Sequence, residues 1–294
     1  MAKEKSAILI AGPTASGKSA LAMKLARARN GVVINADSMQ VYRELRLLTA
    51  RPSEADEALV PHALYGHVAG KDGYSAGRYC IDAAQAVAQA RKQDRVPIIV
   101  GGTGLYFRAL LTGLSPIPDV PADIRQYWRD KGARHGAAWL FDELKRRDEI
   151  MAAKLRPTDP QRLMRALEVL DATGRSLAYW QSRAGTPVLS ENETERHVIC
   201  PERGELYRRC DERFETMMQT GAVEEVRQLL ELKLAPDLPV MRALGVRPIG
   251  DYLAGMLKRD EAVSRAKTET RQFAKRQITW LRRNMMSWKW NIPQ

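Results

Sequence analysis

Gly12-Pro13-Thr14-Ala15-Ser16-Gly17-Lys18-Ser19 has the spacing G-x-x-x-x-G-K-[ST], and the chemistry open to that octad is the binding of a diphosphate. Gly12 and Gly17 let the backbone curl until successive N–H groups point inward. A helix running from Ser19 through Arg29 adds the positive end of its dipole. Lys18 reaches the oxyanions as a point charge, and the Ser19 hydroxyl takes a place in the coordination shell of a Mg2+ ion. The octad does not say which diphosphate it holds.

Two further side chains stand where they could act on whatever the octad binds. Asp37 closes the apolar run Gly31-Val32-Val33-Ile34-Asn35-Ala36. Thr103 follows Val96-Pro97-Ile98-Ile99-Val100 within Gly101-Gly102-Thr103-Gly104. Both runs read as buried central strands, as does Ala7 to Ala11 ahead of the octad. Ligands of an open α/β sheet sit beyond the carboxyl ends of its strands. Phosphate donors, a carboxylate and a hydroxyl are therefore expected in one crevice, with Asp37 and Thr103 as the catalytic candidates. His62 and His67, which flank Tyr65, have no partner at metal-ligand spacing and read as loop residues.

The elements between these strands are ordinary. Ser53 caps a short helix to Val60, and Tyr74-Ser75-Ala76 opens a helix to about Gln93. The proline-rich stretch Leu114 to Pro121 interrupts the α/β rhythm. Helices are expected over Ala122–Lys131 and Ala137–Leu155, and a third is started by Asp159 as N-cap with Pro160 at its first position. In the third, Leu163, Leu167 and Leu170 face inward, and Arg162 and Arg165 stand on the first turn, against the helix dipole. Gly185 to Thr194 reads as an exposed loop, and His197-Val198-Ile199-Cys200 returns to the sheet. The remainder is helical: Glu205 to Thr220, Ala222 to about Leu232, and a last long helix from about Glu261 through Arg283. The expected organisation is a P-loop α/β core over residues 1–117 and 197–294, its parallel sheet interrupted by an all-helical insertion over 118–196.

Forty-seven Lys and Arg stand against 35 Asp and Glu, a net charge of +12. That excess suits a protein that holds nucleic acid. The last helix concentrates it, with Arg271, Lys275, Arg276, Arg282 and Arg283 interleaved with Phe273 and Trp280 and no acid among them. Basic residues with aromatics there suit a phosphate-backbone platform. Three widely spaced cysteines, Cys80, Cys200 and Cys210, form no C-x-x-C pair, which argues against a disulfide framework or a zinc site and for a reducing cytoplasm. No run of about eighteen apolar residues exists and no signal peptide is read, so no membrane is expected.

Gly-Pro-Thr-Ala-Ser-Gly-Lys-Ser, then Asn-Ala-Asp-Ser-Met-Gln-Val-Tyr, Val-Gly-Gly-Thr-Gly-Leu-Tyr, Asp-Pro-Gln-Arg-Leu-Met-Arg-Ala-Leu-Glu-Val and Ala-Lys-Arg-Gln-Ile-Thr-Trp-Leu-Arg follow one another from Gly12 to Arg282. That ordered set resembles the bacterial tRNA dimethylallyltransferases. The resemblance implies transfer of a dimethylallyl group from its diphosphate to N6 of the adenine on the 3′ side of the anticodon, in tRNAs reading codons that begin with U, with Mg2+ as the metal. It makes the octad, Gly12 to Ser19, the cradle of a leaving group, with Arg213 helping to hold the diphosphate and Asp37 as general base. It assigns Ser38, Met39 and Gln40 to the segment that meets the adenine. To tRNA contact it assigns Thr103, Arg125, Gln161-Arg162-Leu163-Met164-Arg165, Arg242-Ala243-Leu244-Gly245-Val246-Arg247 and Lys275-Arg276-Gln277-Ile278-Thr279-Trp280-Leu281-Arg282. The segment His62 to Val68 departs from the family's usual pattern but touches no catalytic position. The expected partners are the tRNA anticodon stem-loop and dimethylallyl diphosphate, met by a monomer. A small-molecule kinase, a prenyltransferase of free adenine nucleotides and an RNA-stimulated NTPase share the front half of these features and are the rival readings.

Overall fold

A computed structural model describes residues 6–291 of the chain. In chain order the first elements are β1 (Ala7–Ala11), α1 (Lys18–Ala28), β2 (Gly31–Asn35), α2 (Glu54–Leu59), β3 (His62–Ala63) and α3 (Ala76–Lys92). Next come β4 (Val96–Gly101), α4 (Gly104–Thr112), α5 (Ala122–Arg147), α6 (Glu149–Ala152), α7 (Pro160–Thr173) and α8 (Leu177–Gln181). The chain ends with β5 (Thr194–Ile199), α9 (Arg203–Thr220), α10 (Ala222–Glu231), α11 (Val246–Leu253), α12 (Arg259–Asn284) and β6 (Lys289–Asn291). It divides into two compact units, residues 1–111 with 188–294, and residues 112–187.

The first unit is built on a six-stranded sheet in the order β3-β2-β4-β1-β5-β6, parallel throughout. A parallel sheet has to be covered on both faces, so its strands carry apolar side chains on both. Ile8, Ile10, Val33, Ile98 and Val100 pack with Ala22 and Ala26 of α1. Their neighbours Leu9, Ile34 and Ile99 point the other way, to Ala83 and Val87 of α3, Phe107 and Leu110 of α4, and Leu281 of α12. A separate core joins Tyr42 and Leu45 to Phe214, Val226, Ile249 and Ala266 of the C-terminal helices.

The register decides where chemistry can sit. Ala11 lies opposite Gly101 and Asn35 opposite Val100, so β1, β2 and β4 end level with one another. The chain leaves β1 toward β2 on one side and leaves β4 for β5 on the other. The crevice between β1 and β4 is thus a topological switch point, where ligands of such sheets bind.

The second unit has its own core, in which Trp128, Leu140 and Leu144 of α5 meet Leu163, Leu167 and Val169 of α7. Trp128 Nε1 donates to Asp171 at 2.7 Å. Asp159 caps α7 by accepting from Arg162 N at 3.2 Å, with Pro160 at the first helical position as expected.

Several elements differ from the sequence reading. The helix begun at Ala122 runs past Lys131 until Gly136, whose φ of +79° breaks α5 into two segments; the second stops at Arg147, and Asp148 caps the separate short α6. Leu170 is only partly buried, while Ala166 and Val169 join the core instead. The stretch after Gly185 is not simply exposed: Leu189 is buried, and Val188 N and Leu189 N both donate to Leu110 O, at 2.8 and 3.0 Å. Strand β5 begins at Thr194, three residues before the apolar run that signals it. Its polar start is held by ion pairs, Arg29 with Glu195 at 2.8 Å and Arg196 with Glu191 at 2.9 Å. Residues 188–196, expected in the insertion, therefore belong with the sheet unit. β3 and β6 are too short for a pattern and carry no sequence signal.

Candidate active site

Asp37 stands two residues beyond the end of β2, and its backbone is fixed by a fully buried neighbour. Asn35 Oδ1 accepts from Asp37 N at 2.8 Å, while Asn35 Nδ2 donates to Asp37 O at 2.9 Å and to Leu64 O at 3.1 Å. Asp37 Oδ1 accepts from Met39 N at 2.9 Å. Oδ2 faces the end of β4, 3.4 Å from where a Cβ on Gly102 would lie. One carboxylate oxygen is thus held and the other is presented to the crevice. Nothing in the local spacing marked Asn35 as more than a strand residue.

Thr103 sits opposite. Its backbone N donates to Ala36 O at 3.2 Å, and its hydroxyl accepts from Ser38 N at 2.9 Å and reaches Ser38 Oγ at 3.3 Å. The two strand ends touch backbone to backbone, since a Cβ on Gly101 would fall 2.0 Å from Ala36 O. Met39 is partly buried against the core of the C-terminal helices. Gln40 has its amide nitrogen committed to Thr49 O and Ala50 O, at 2.8 and 2.9 Å, which holds its own loop closed.

Across the crevice lies the octad. Gly17 takes φ +87° before α1, and a Cβ on Gly12 would stand 2.5 Å from Ile199 O, so both positions need glycine. Lys18 Nζ donates to Pro13 O at 3.2 Å. Burial pushes its pKa down to about 8; Asp37 opposes that shift and Arg213 adds to it. Arg213, projecting from α9, is partly buried and donates from Nη2 to Thr14 Oγ1. Burial lowers the pKa of its guanidinium too, against the pull of Cys210 and Asp37. One turn earlier on α9, Arg209 carries Nη1 to 3.9 Å from the Cβ position of Gly17 while its Nε pairs with Glu205. Sequence reasoning missed Arg209, although its i, i+4 spacing from Arg213 could have found it. Lys18 and Arg213 are thus both desolvated cations, and Ser16 Oγ, buried in the same loop, has no hydrogen-bond partner among the described residues. Such a loop is short of an anion.

Among the described residues no group of three or more His, Cys, Asp or Glu could hold a metal ion by itself. A Mg2+ ion takes one or two protein oxygens and otherwise phosphate and water. Ser19, exposed at the first turn of α1, offers a hydroxyl beside the octad. His62, expected in a loop, lies in β3, whose pairing with β2 recruits it to the sheet edge; neither it nor His67 enters the crevice network, since His62 Nδ1 lies 2.8 Å from Val60 O and His67 Nε2 lies 3.5 Å from Asp82.

The stretches assigned to tRNA divide by exposure. On α12, Lys275, Arg276, Thr279 and Arg282 are exposed, but Leu281 is in the core, Gln277 is 7% exposed and Ile278 packs on the cluster of Leu206, Cys210 and Ala274. Trp280 lies against Gly104, where a Cβ would meet its ring at 2.1 Å. Arg242 and Arg247 are exposed, whereas Ala243, Gly245 and Val246 are buried and Leu244 partly so. In the second unit Arg125, Gln161 and Arg162 are exposed, Met164 and Arg165 are partly buried, and Leu163 is wholly buried. Within the stretches that the resemblance assigns to tRNA, the side chains of Leu163, Ala243, Val246, Gln277 and Leu281 lie in the interior. On α7, α11 and α12 the helix period that exposes the cations turns Leu163, Val246, Gln277 and Leu281 inward. Arg162 and Arg165 find acids within α7 and its cap, Asp159 at 3.3 Å and Glu168 at 3.5 Å. Their place against the dipole thus has an internal partner as well as any external one.

The chain matches the family described as IPP transferase over residues 40–284, and residues 5–60 match the family described as isopentenyl transferase. A tRNA dimethylallyltransferase of Bradyrhizobium sp. (strain ORS 278) is 51% identical over 291 residues, covering 99% of this chain and 94% of that one. One from Agrobacterium fabrum is 52% identical over 279 residues, covering 95% and 94%. Among solved structures, a tRNA isopentenylpyrophosphate transferase from Bacillus halodurans superposes with a TM-score of 0.70 at 30% identity, over 98% of this chain and 90% of that one. A eukaryotic dimethylallyltransferase acting on tRNA superposes with a TM-score of 0.80 at 28% identity, over 95% of this chain and 70% of that one.

Proposed function

The chain belongs to the IPP transferase family, and we propose that it transfers a dimethylallyl group from dimethylallyl diphosphate to N6 of the adenosine on the 3′ side of the anticodon, in tRNAs that read codons beginning with U. It is a prenyl-transferring enzyme acting on tRNA. The observation that carries the reading is the facing of Asp37 Oδ2, the one carboxylate oxygen left unheld, toward the crevice that also contains Lys18 and Arg213.

An adenine amino group is a weak nucleophile because its lone pair is delocalised into the ring. It needs in-line placement at the allylic C1 and a base for its proton. As the N6–C1 bond forms, the C1–O bond breaks, the diphosphate leaves with the bonding pair, and the N6 proton passes to Asp37 Oδ2. Charge accumulates on the leaving oxygens, where Lys18, Arg213 and the octad N–H groups not engaged within the protein counter it. The cationic repulsion between Lys18 and Arg213 is relieved by the same oxygens. Mg2+, on the diphosphate and the Ser19 hydroxyl, would supply further charge neutralisation. The octad thus serves a leaving group instead of a nucleotide.

To reach the crevice the adenine must leave the anticodon-loop stack, at a cost of a few kcal/mol. The exposed cations support a grip that offsets it: Lys275, Arg276 and Arg282 on α12, Arg242 ahead of α11 and Arg247 on it, and Arg125 and Arg162 in the second unit. Cradle and base come from one chain, which supports action as a monomer. No helix among the described residues is long and apolar enough to cross a membrane, and a tRNA substrate argues for the cytoplasm.

The test is transfer of label from dimethylallyl diphosphate to unmodified tRNA with Mg2+, beside a lane offering labelled ATP. Label in the RNA with release of diphosphate is expected. ATP consumption without labelled RNA would overturn the reading in favour of a kinase.

A further inference from the structure

Gln277 lies on the helix assigned to RNA, yet its side chain is turned the other way and both ends of its amide are engaged. Oε1 accepts from Thr14 N, in the phosphate loop, at 2.9 Å. Nε2 donates to Gly102 O, at the end of β4, at 3.0 Å. The residue is 7% exposed, and a Cβ on Gly102 would stand 2.2 Å from Nε2. That glycine is required for the approach. The same hypothetical Cβ lies 3.4 Å from Asp37 Oδ2, so the carbonyl that Gln277 holds belongs to the residue beside the base.

A glutamine amide is suited to this place because it offers one acceptor and one donor at a fixed separation. The two backbone groups it joins belong to the two lips of the crevice, β1's loop and β4's exit. Among the described residues, no hydrogen bond between those lips is made by the octad or by Gly101 to Gly104 directly, although the strands behind them are paired in register. On one side the loop holds the diphosphate; on the other, Gly102 leads into Thr103, which fixes Ser38 and through it the Asp37 turn.

We propose that Gln277 is a positioning residue for the transfer, setting the distance between the phosphate loop and the base-bearing wall so that the allylic carbon and the amino group meet in line. The inference rests on the function proposed above. In-line displacement is sensitive to placement, and a displacement of about 1 Å can lower the rate about 10²-fold. Gln277 acts through backbone groups and touches neither reacting atom.

Two variants test it. Gln277→Met keeps length and flexibility but loses both hydrogen bonds. Gln277→Glu keeps the acceptor for Thr14 N–H, and regains a donor toward Gly102 O only when its carboxyl is protonated. Each is assayed beside the unaltered enzyme with unmodified tRNA and dimethylallyl diphosphate, and its Tm is recorded. Gln277→Met is expected to lower kcat about 10- to 100-fold, with KM for tRNA within about twofold, because the exposed cations of α12 are untouched. For Gln277→Glu, assayed well below its Tm so that both proteins stay folded, kcat relative to the unaltered enzyme is expected to rise as pH falls; its Tm deficit shrinks over the same range, because protonation restores the same hydrogen bond. Should the Met variant not fold, this pH-dependent rescue decides alone.

Raised KM for tRNA with unchanged kcat in Gln277→Met would overturn the proposal and return Gln277 to RNA contact. Near-normal kcat in that variant, or a Gln277→Glu activity ratio flat with pH, would also overturn it. No transfer by the unaltered enzyme would instead refute the function on which it rests.

Discussion

The two walls of the crevice are finished to different degrees. On the base side, Asn35, Asp37, Ser38 and Thr103 are tied to one another by hydrogen bonds of 2.8 to 3.3 Å, and Asp37 Oδ2 faces the crevice. On the phosphate side, Lys18 and Arg213 repel each other and Ser16 Oγ is buried without a partner among the described residues. The difference follows from what each wall meets. A general base works by being held in place before the substrate arrives, because any freedom it keeps lowers the rate. A cradle for a diphosphate gains affinity by leaving cations and donors unsatisfied until the anion completes them.

Removing the one group that the base side presents should give the largest effect. Asp37→Ala is expected to lower kcat about 10²- to 10⁴-fold with tRNA affinity kept, as read by single-turnover transfer and filter binding. On the other wall, Lys18→Ala is expected to cost about 10²- to 10³-fold in kcat/KM for dimethylallyl diphosphate. Its loss should appear in the titration of inorganic diphosphate as well as in turnover. An equal loss of diphosphate affinity in both variants would erase the distinction between the walls.

The pH dependence sharpens it. Lys18 is charged below about pH 8 in the free protein and neutral above it. Affinity for inorganic diphosphate should therefore hold below that pH and weaken as pH rises through it. Lys18→Arg, which stays charged, should lose that inflection. A smaller effect is expected inside the base wall: Asn35→Ala leaves Asp37 N–H and Leu64 O without partners and should lower stability by about 1–3 kcal/mol, read by denaturant titration.

The second unit should give the smallest change in fold and a change in salt response. Arg125→Ala and Arg162→Ala remove exposed side chains, so stability should move by no more than about 0.5 kcal/mol. Each should flatten the dependence of log K for tRNA on log salt by roughly 0.7 to 0.9 for every phosphate that is no longer neutralised. An unchanged slope would withdraw these two residues from the RNA-facing set.

The same contrast marks what the sequence could and could not reveal. The octad and the carboxyl ends of β2 and β4 announce themselves by local spacing, since a loop that curls around phosphate and a strand that ends in Asp or Gly-Gly-Thr need only their neighbours. Their meeting in one crevice follows from the rule for parallel sheets. Asn35 escaped notice because its partners, Asp37 and Leu64, are backbone groups. Gln277 escaped for a stronger reason, because it bonds Thr14 at a separation of 263 residues and Gly102 at 175. Motif resemblance assigns stretches, and helix geometry then divides each stretch between solvent and core. So Arg276 and Gln277, adjacent in sequence, lie one in solvent and one in the interior, as do Arg162 and Leu163. Strands β3 and β6 owe their existence to neighbouring edges, β2 for one and β5 for the other, and those lie outside any local window.

Separation of the two walls is tested most directly by titrating inorganic diphosphate, with Mg2+, into the Asp37→Ala protein. Asp37 is an anion whose charge acts on both Lys18 and Arg213. Its removal should leave diphosphate affinity at or above that of the unaltered protein while transfer is lost. Diphosphate affinity that collapses together with transfer would contradict that separation, because base and cradle would then be a single unit instead of two differently prepared walls.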